Sequence, residues 1–317
     1  TSMNAIRGTN AQKLLAALAL FPAEADRHVL GHVAGINDSM SRDEGLVQLE
    51  KLSLVNRQGG KFTMLPLTRS YSLSDLEHDP EFARQTRERW VGHLTSLTPI
   101  QADRYWIQDQ ITILREGDNF ISLSQWSLSR EDYEILLKVI RPAVLSLQYS
   151  GRRTEALKLA LSGAESSAQE GDRSTSAWLH VDAGWILSQQ GVHEEAIEQT
   201  SKGLIRYKDL EDEVGACFAI CFLAQAQRHA GQLSDADSSL GAAIAEASRL
   251  GYLEGIALAR FEMGKLARDQ ADWDAAYHHF GIDSAALSNL GDAFTDITSL
   301  AIQGNLGESA LRLGKYA

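Results

Sequence analysis

One short turn recurs along this chain at a fixed interval, and that recurrence limits the possible folds more than any other feature. Gly151-Arg152-Arg153, Gly191-Val192-His193, Gly231-Gln232-Leu233 and Ala271-Asp272-Trp273 start forty residues apart, and Gly314-Lys315-Tyr316 starts forty-three after the fourth. Five residues past the start of the first four stand Ala156, Ala196, Ala236 and Ala276. Seven residues before the five turns stand Val144, Gly184, Ala224, Gly264 and Gly307, four of them Gly or Ala. Small side chains on both sides of a turn let two helices approach closely in a close-packed interior. Each unit is therefore expected to be a helix, a tight turn and a helix. One such hairpin cannot bury its apolar face alone, whereas stacked hairpins share a continuous core.

The small residue, the Gly-containing turn and the alanine resemble the tetratricopeptide pattern over residues 130–317. The period is forty rather than the usual thirty-four or so, implying longer helices, and the helix-ending proline of the consensus is missing. The resemblance implies an α-solenoid. Its last repeat is incomplete, because Ala317 follows directly on the fifth turn. A longer natural protein is expected on that ground, and Thr1-Ser2-Met3 reads as a cloning remnant ahead of an internal start.

Composition narrows the function. The 317 residues carry a formal net charge of −12, which opposes a sequence-independent grip on nucleic acid, since that grip is made by Lys and Arg on phosphates. Two cysteines cannot build a disulfide framework. No signal peptide opens the chain and no apolar run reaches the ~18 residues of a membrane span. A cytoplasmic address without membrane contact is expected.

Residues 10–21 carry an apolar face at helical spacing, with Asn10 as cap and Pro22 as stop. A short helix is expected near Asp26–Val33, and a third from Ser41, whose hydroxyl and Glu44 form a capping box. Residues 54–57, the turn Gln58-Gly59-Gly60 and residues 61–64 read as a hairpin. Three helices and a two-stranded wing make a winged-helix domain, assigned to residues 4–75, with a helical linker region at 76–129 and the repeats at 130–317. The third helix sets Arg42 and Lys51 against Asp43, Glu44 and Glu50. Such a face repels phosphates about as much as it attracts them.

The run Met64-Leu65-Pro66-Leu67-Thr68-Arg69-Ser70-Tyr71, followed by a helix from Asp79-Pro80-Glu81 through Arg87-Glu88-Arg89-Trp90 to Leu94, resembles the segment after the nucleotide-binding module of STAND-class (AP-ATPase/NB-ARC-like) signal-transduction ATPases. Leu114-Arg115-Glu116-Gly117-Asp118-Asn119-Phe120, with Trp126 beyond it, is similar to the stretch that introduces the repeats in that class. The resemblance implies a winged helix and a repeat sensor coupled to an ATP/ADP switch. Some members carry a phosphate-contacting His where this chain has Leu65, which cannot hydrogen-bond a phosphate. Gly59-Gly60-Lys61-Phe62 and Met263-Gly264-Lys265-Leu266 lack the spacing and hydroxyl of a phosphate-binding loop. The chain itself is thus expected to be no enzyme and to hold no cofactor.

His28 and His32, four apart, and Cys217 and Cys221, also four apart, read as ordinary side chains rather than metal ligands. Aligning the repeats on their small residue places Lys138, Arg141, Tyr149, Trp178, Trp185, Phe218, Gln225, Arg228, Phe261, Lys265 and Arg268 along the first helices, which line the groove in stacked hairpins. Cations and aromatics there suit a protein or acidic peptide, or an anionic small ligand. The leading expectation is a regulatory and sensor fragment of a STAND-type ATPase, in intramolecular contact with its missing ATPase module. A stand-alone repeat scaffold and a winged-helix transcription regulator are the alternatives.

Overall fold

The computed structural model describes residues 2–98, 110–290 and 296–315. Residues 99–109 of the linker region, and Tyr316 of the last turn, lie outside the described residues. The chain divides into two compact units, one of residues 1–98 and 115–146, the other of residues 99–114 and 147–317.

In the first unit, α1 (Asn10–Ala19), β1 (Ala25–Asp26), α2 (Arg27–Ala34), α3 (Ser39–Lys51), β2 (Asn56–Gln58) and β3 (Lys61–Thr63) follow the expected order of three helices and a hairpin. Two-residue β1 is an addition, pairing antiparallel with β3 so that Ala25 faces Phe62 and the strand order is β1-β3-β2. The hairpin turns on Gly59 and Gly60, both at positive φ, as a two-residue turn between twisted strands requires. Two expected caps move. The residue before α1 is Thr9, not Asn10; Gln12 Oε1 accepts the Gly8 N–H at 2.7 Å. Helix α3 starts two residues before Ser41, because the Asp38 carboxylate accepts the Ser41 N–H at 2.7 Å and so offers the charged oxygen that best answers a helix N-terminus. Asp26 caps α2 through the N–H groups of His28 and Val29.

Leu14, Leu15, Leu18, Leu30, Val33, Leu46, Leu49 and Phe62 are buried in this unit. Gly45 admits α1, since a Cβ there would stand 2.7 Å from Leu14 Cδ1. Helices α4 (Pro66–Leu76), α5 (Pro80–Ser96), α6 (Gln110–Ser129) and α7 (Tyr133–Tyr149) follow, and the division between units runs through α6 and α7. The linker motifs become core. Trp90 packs edge-on against Trp126 with centroids 6.0 Å apart, Arg89 Nε donates to the Val33 carbonyl, and Asn119 Nδ2 donates to Glu116 at 2.8 Å. Gly117 lies where a Cβ would meet Ser146 at 2.9 Å.

The second unit contains α8 (Arg153–Gln169), α9 (Arg173–Gln189), α10 (His193–Asp209), α11 (Glu213–His229), α12 (Leu233–Leu250), α13 (Leu253–Asp269), α14 (Trp273–Leu290) and α15 (Asp296–Arg312). The turns come every twenty residues, half the interval read from the sequence. Gly151, Gly171, Gly191, Glu211, Gly231, Gly251 and Ala271 all have positive φ. After six of them the next amide reaches back five residues at 2.8–3.0 Å: Arg152 to the Leu147 carbonyl, Val192 to Leu187, Asp212 to Tyr207, Gln232 to Gln227, Tyr252 to Ala247 and Asp272 to Ala267. This is the left-handed closure that satisfies the last carbonyls of a helix.

The small-residue reading holds at the contacts. Ala156, Ala196, Ala236 and Ala276 are fully buried. A Cβ on Gly184 would stand 2.8 Å from the Ala196 carbonyl oxygen, and one on Gly264 would meet the Phe280 ring at 2.5 Å. Gly203 admits α9 in the same way, with Ala177 O at 2.7 Å, a contact the turn alignment does not reveal. At Gly307 no atom of the described residues lies within 4 Å of the Cβ position.

Candidate functional site

Consecutive first helices, α7, α9, α11, α13 and α15, are tied side chain to side chain. Gln148 Nε2 donates to Asp182 at 2.9 Å, linking the end of α7 to α9. Ser188 on α9 meets His229 Nδ1 on α11 at 2.7 Å. Between α11 and α13, Gln225 Nε2 donates to Glu262 at 3.4 Å, and Arg228 reaches Glu262 at 3.8 Å and also pairs with Asp269. Arg268 donates to Asn305 of α15 at 2.7 Å.

His229 has a defined tautomer in this ladder. Arg228 donates to its Nε2 at 2.8 Å, and a guanidinium can only donate, so the ring proton sits on Nδ1 and faces Ser188. Burial, then the Arg228 and Lys265 charges, push the imidazole below its usual pKa. Ser188 and His229 thus meet as acceptor and donor, with an arginine rather than a carboxylate behind the ring. The pair bonds two helices and does not activate a nucleophile.

The expected groove residues divide by environment. Trp178 and Phe218 are buried, and Arg141 is buried within the first unit. Tyr149 is exposed, while Trp185, Phe261, Lys265 and Arg268 are half-buried. The structure brings Gln225, Arg228, Lys265 and Arg268 together, with counter-charges that position-by-position alignment misses. Arg228 and Glu262 side chains are each 5% exposed, and Lys265 donates to Glu262 at 2.6 Å while lying 4.8 Å from the Phe261 ring centre. A buried charge needs a partner this close, so Glu262 and Asp269 already answer the cations expected to attract an anion. Lys138, likewise, pairs with Glu134.

Phe222 joins the surface unannounced. It lies 6.3 Å edge-on from Trp185 and 4.8 Å from Phe218 between ring centres, continuing the half-buried aromatic strip from α9 to α11. Its register was available, since it stands forty residues after Asp182 and forty before Glu262. Beside Trp185 opens a cleft of about 150 Å³ lined by Gln148, Tyr149, Arg153, Trp185, Ile186 and Gln189.

On the first unit, the outer face of α3 exposes Met40 and Val47 beside Asp43, Glu44 and Lys51. Arg42 is held by Asp43 at 2.8 Å and by His28 at 3.3 Å. Leu65 is 60% exposed at the start of α4. Cys217 and Cys221 are buried thiols, and burial drives the Cys217 pKa up to about 11. Among the described residues, no group of three His, Cys, Asp or Glu is placed to hold a metal, and no helix is long and apolar enough to cross a membrane.

No family model and no curated protein sequence matches the chain. Among solved structures, BtubC (BKLC) from P. vanneervenii aligns with a TM-score of 0.50 and 14% identity over 66% of this chain and 85% of its own. The chain is an α-solenoid of helical hairpins after its N-terminal helices and hairpin. A Signal Transduction ATPase with Numerous Domains (STAND) protein with a tetratricopeptide repeat sensor, from Pyrococcus horikoshii, gives a TM-score of 0.42 and 11% identity over 97% of this chain. The solenoid chain spans about half of that protein's length, 54%. The Rap conjugation gene regulator of plasmid pLS20, solved with the Phr* peptide, gives 0.41 and 12% over 95% of this chain and 76% of its own. Likeness at such identities concerns the fold alone.

Proposed function

We propose that this chain is the regulatory and sensor region of a STAND-type signalling ATPase. In this reading its first unit is a winged helix that passes a signal to an ATPase module encoded upstream. The solenoid receives that signal by binding a protein, a peptide or a small ligand along its first helices, and the chain itself performs no catalytic step. The observation that carries the receptor half is the layer of first helices, where half-buried Trp185 and Phe222 lie beside a ladder of side-chain bonds joining each helix to the next. Aromatic surface supplies contact area at low entropic cost, and bonded neighbours let a change at one helix reach the next. The ATPase half rests on the resemblance of residues 64–94 and 114–126. The face of α3, with Met40 and Val47 between acidic side chains, favours a protein contact over DNA.

The experiment is selection of a displayed random dodecapeptide library on the whole chain. Enriched peptides are expected to lose binding to a Trp185→Ala/Phe222→Ala variant and to keep it with Val47→Asp, each variant checked by thermal melting. Enriched peptides indifferent to Trp185 and Phe222 would refute the groove. The coding region upstream is expected to carry a Gly-rich phosphate-binding loop, and an unrelated upstream domain would refute the ATPase assignment.

A further inference from the structure

The ladder sorts the cations of the solenoid by whether a carboxylate already answers them. Arg228 and Lys265 share Glu262, Arg228 also holds Asp269, and Arg152 is paired with Glu155 at 2.7 Å. Arg153, next to Arg152 and at the start of α8, has no charged or hydrogen-bonding partner among the described residues, and it lines the cleft beside Trp185. An incoming anion gains most where the cation is not already neutralised.

The remaining walls suit a short chain ending in a carboxylate. Trp185 offers apolar surface to methylene groups, and Gln189 is exposed at the cleft's edge. The buried part of the Tyr149 side chain, and secondarily the Asp182 charge, raise its pKa, so its hydroxyl keeps its proton at neutral pH and can donate to an anion. Gln148 turns its Nε2 to Asp182, and its Oε1 has no donor among the described residues; a ligand N–H could supply one after a small side-chain movement. A volume of about 150 Å³ is below the ~300–1,000 Å³ of pockets that take whole small ligands. It is large enough for one side chain of a longer molecule.

We propose that the cleft between the end of α7 and α9 is the anchoring subsite of the groove, and that it takes an acidic side chain of a peptide ligand, with Arg153 as the pairing cation and Trp185 as the wall. This rests on the groove reading above and moves its acidic contact from the α11–α13 cations to the α7–α9 end of the ladder.

The test uses the whole chain labelled with 5-fluorotryptophan, with the Trp185 resonance identified by its loss in Trp185→Phe. The probes are acetyl-Leu-Glu-Leu-amide and the neutral acetyl-Leu-Gln-Leu-amide. The Glu peptide is expected to shift the Trp185 fluorine signal saturably, with at least tenfold higher affinity than the Gln peptide. Arg153→Gln, at an exposed site, should remove that preference without changing the melting temperature, whereas Lys265→Gln should preserve it. Both peptides shifting Trp185 alike, or Arg153→Gln binding as the parent does, would overturn the acidic subsite and leave the groove standing. Silence of Trp185 towards both peptides would overturn the subsite, and library peptides unaffected by Trp185→Ala/Phe222→Ala would remove the groove as well.

Discussion

Replacing Gly184 by alanine should destabilise the solenoid, although alanine is the better helix former. A Cβ at Gly184 would fall on Thr200 Oγ1 and lie 2.8 Å from the Ala196 carbonyl oxygen and 3.0 Å from the Thr200 nitrogen. Two of these three are backbone atoms of α10, so no side-chain rotation relieves them, and α9 and α10 must move apart. Overpacking of this kind costs about 1–3 kcal/mol, and the helix preference of Ala over Gly returns about 1 kcal/mol. Because the Cβ meets backbone atoms that cannot rotate away, the upper part of that range, about 2–3 kcal/mol, applies, and the net loss of about 1–2 kcal/mol corresponds to a fall of roughly 2–8 °C in melting temperature for a unit of this size. Gly241 is the matched control, since it is exposed inside α12 with nothing within 4 Å. Gly241→Ala should raise stability by about 0.5–1 kcal/mol. Thermal and urea melts followed by circular dichroism at 222 nm would read both. A Gly184→Ala protein as stable as the parent would refute the claim that backbone contact fixes this site.

Three further outcomes are expected. Glu211→Gly and Ala271→Gly should each stabilise by about 0.5–1 kcal/mol in urea melts, because both residues hold a left-handed φ of 55–60° that costs a side-chain-bearing residue about 1–2 kcal/mol. Glu262→Ala should cost about 3 kcal/mol or more by the same assay, since it strips Arg228 and Lys265 of a shared buried carboxylate, whereas Lys202→Ala, in an exposed pair with Glu198, should cost well under 1 kcal/mol. Acid should destabilise the solenoid as the pH falls below about 6.5: burial lowers the pKa of His180, His229 and His279, so the unfolded chain takes up protons first. Melting temperature against pH, with His229→Gln flattening part of the slope, checks the sign.

The forty-residue interval was legible because Gly or Ala stands at each turn inside a hairpin and glycine tolerates the left-handed closure. The intervening turns were harder to see. Gly171 and Gly251 mark two of them, but Glu211 takes the same conformation without the glycine signal, held by Asp212, whose amide reaches Tyr207 and whose carboxylate caps α11 at Gly215. Strand β1 was hidden because two residues, Ala25 and Asp26, carry no alternation. On the first helices, the positions of Tyr149 and Trp185 were readable from register, whereas the pairing of Glu262 and Asp269 was not, since they meet their partners at offsets of 3, 34, 37 or 41 residues rather than at the repeat length. Aligning like positions finds which side chains share a helix face; it does not find which opposite charge leans across from the next helix.

From α8 to α13 every helix runs seventeen or eighteen residues, and its turn restores the count to twenty. A cut made anywhere in one hairpin and rejoined forty residues later therefore rebuilds a whole helix, a whole turn and the same angular phase. The array behaves as interchangeable parts. Hairpins can be lost or duplicated by single in-frame events that keep helix lengths and turns intact, so the length of the solenoid can change faster than its architecture.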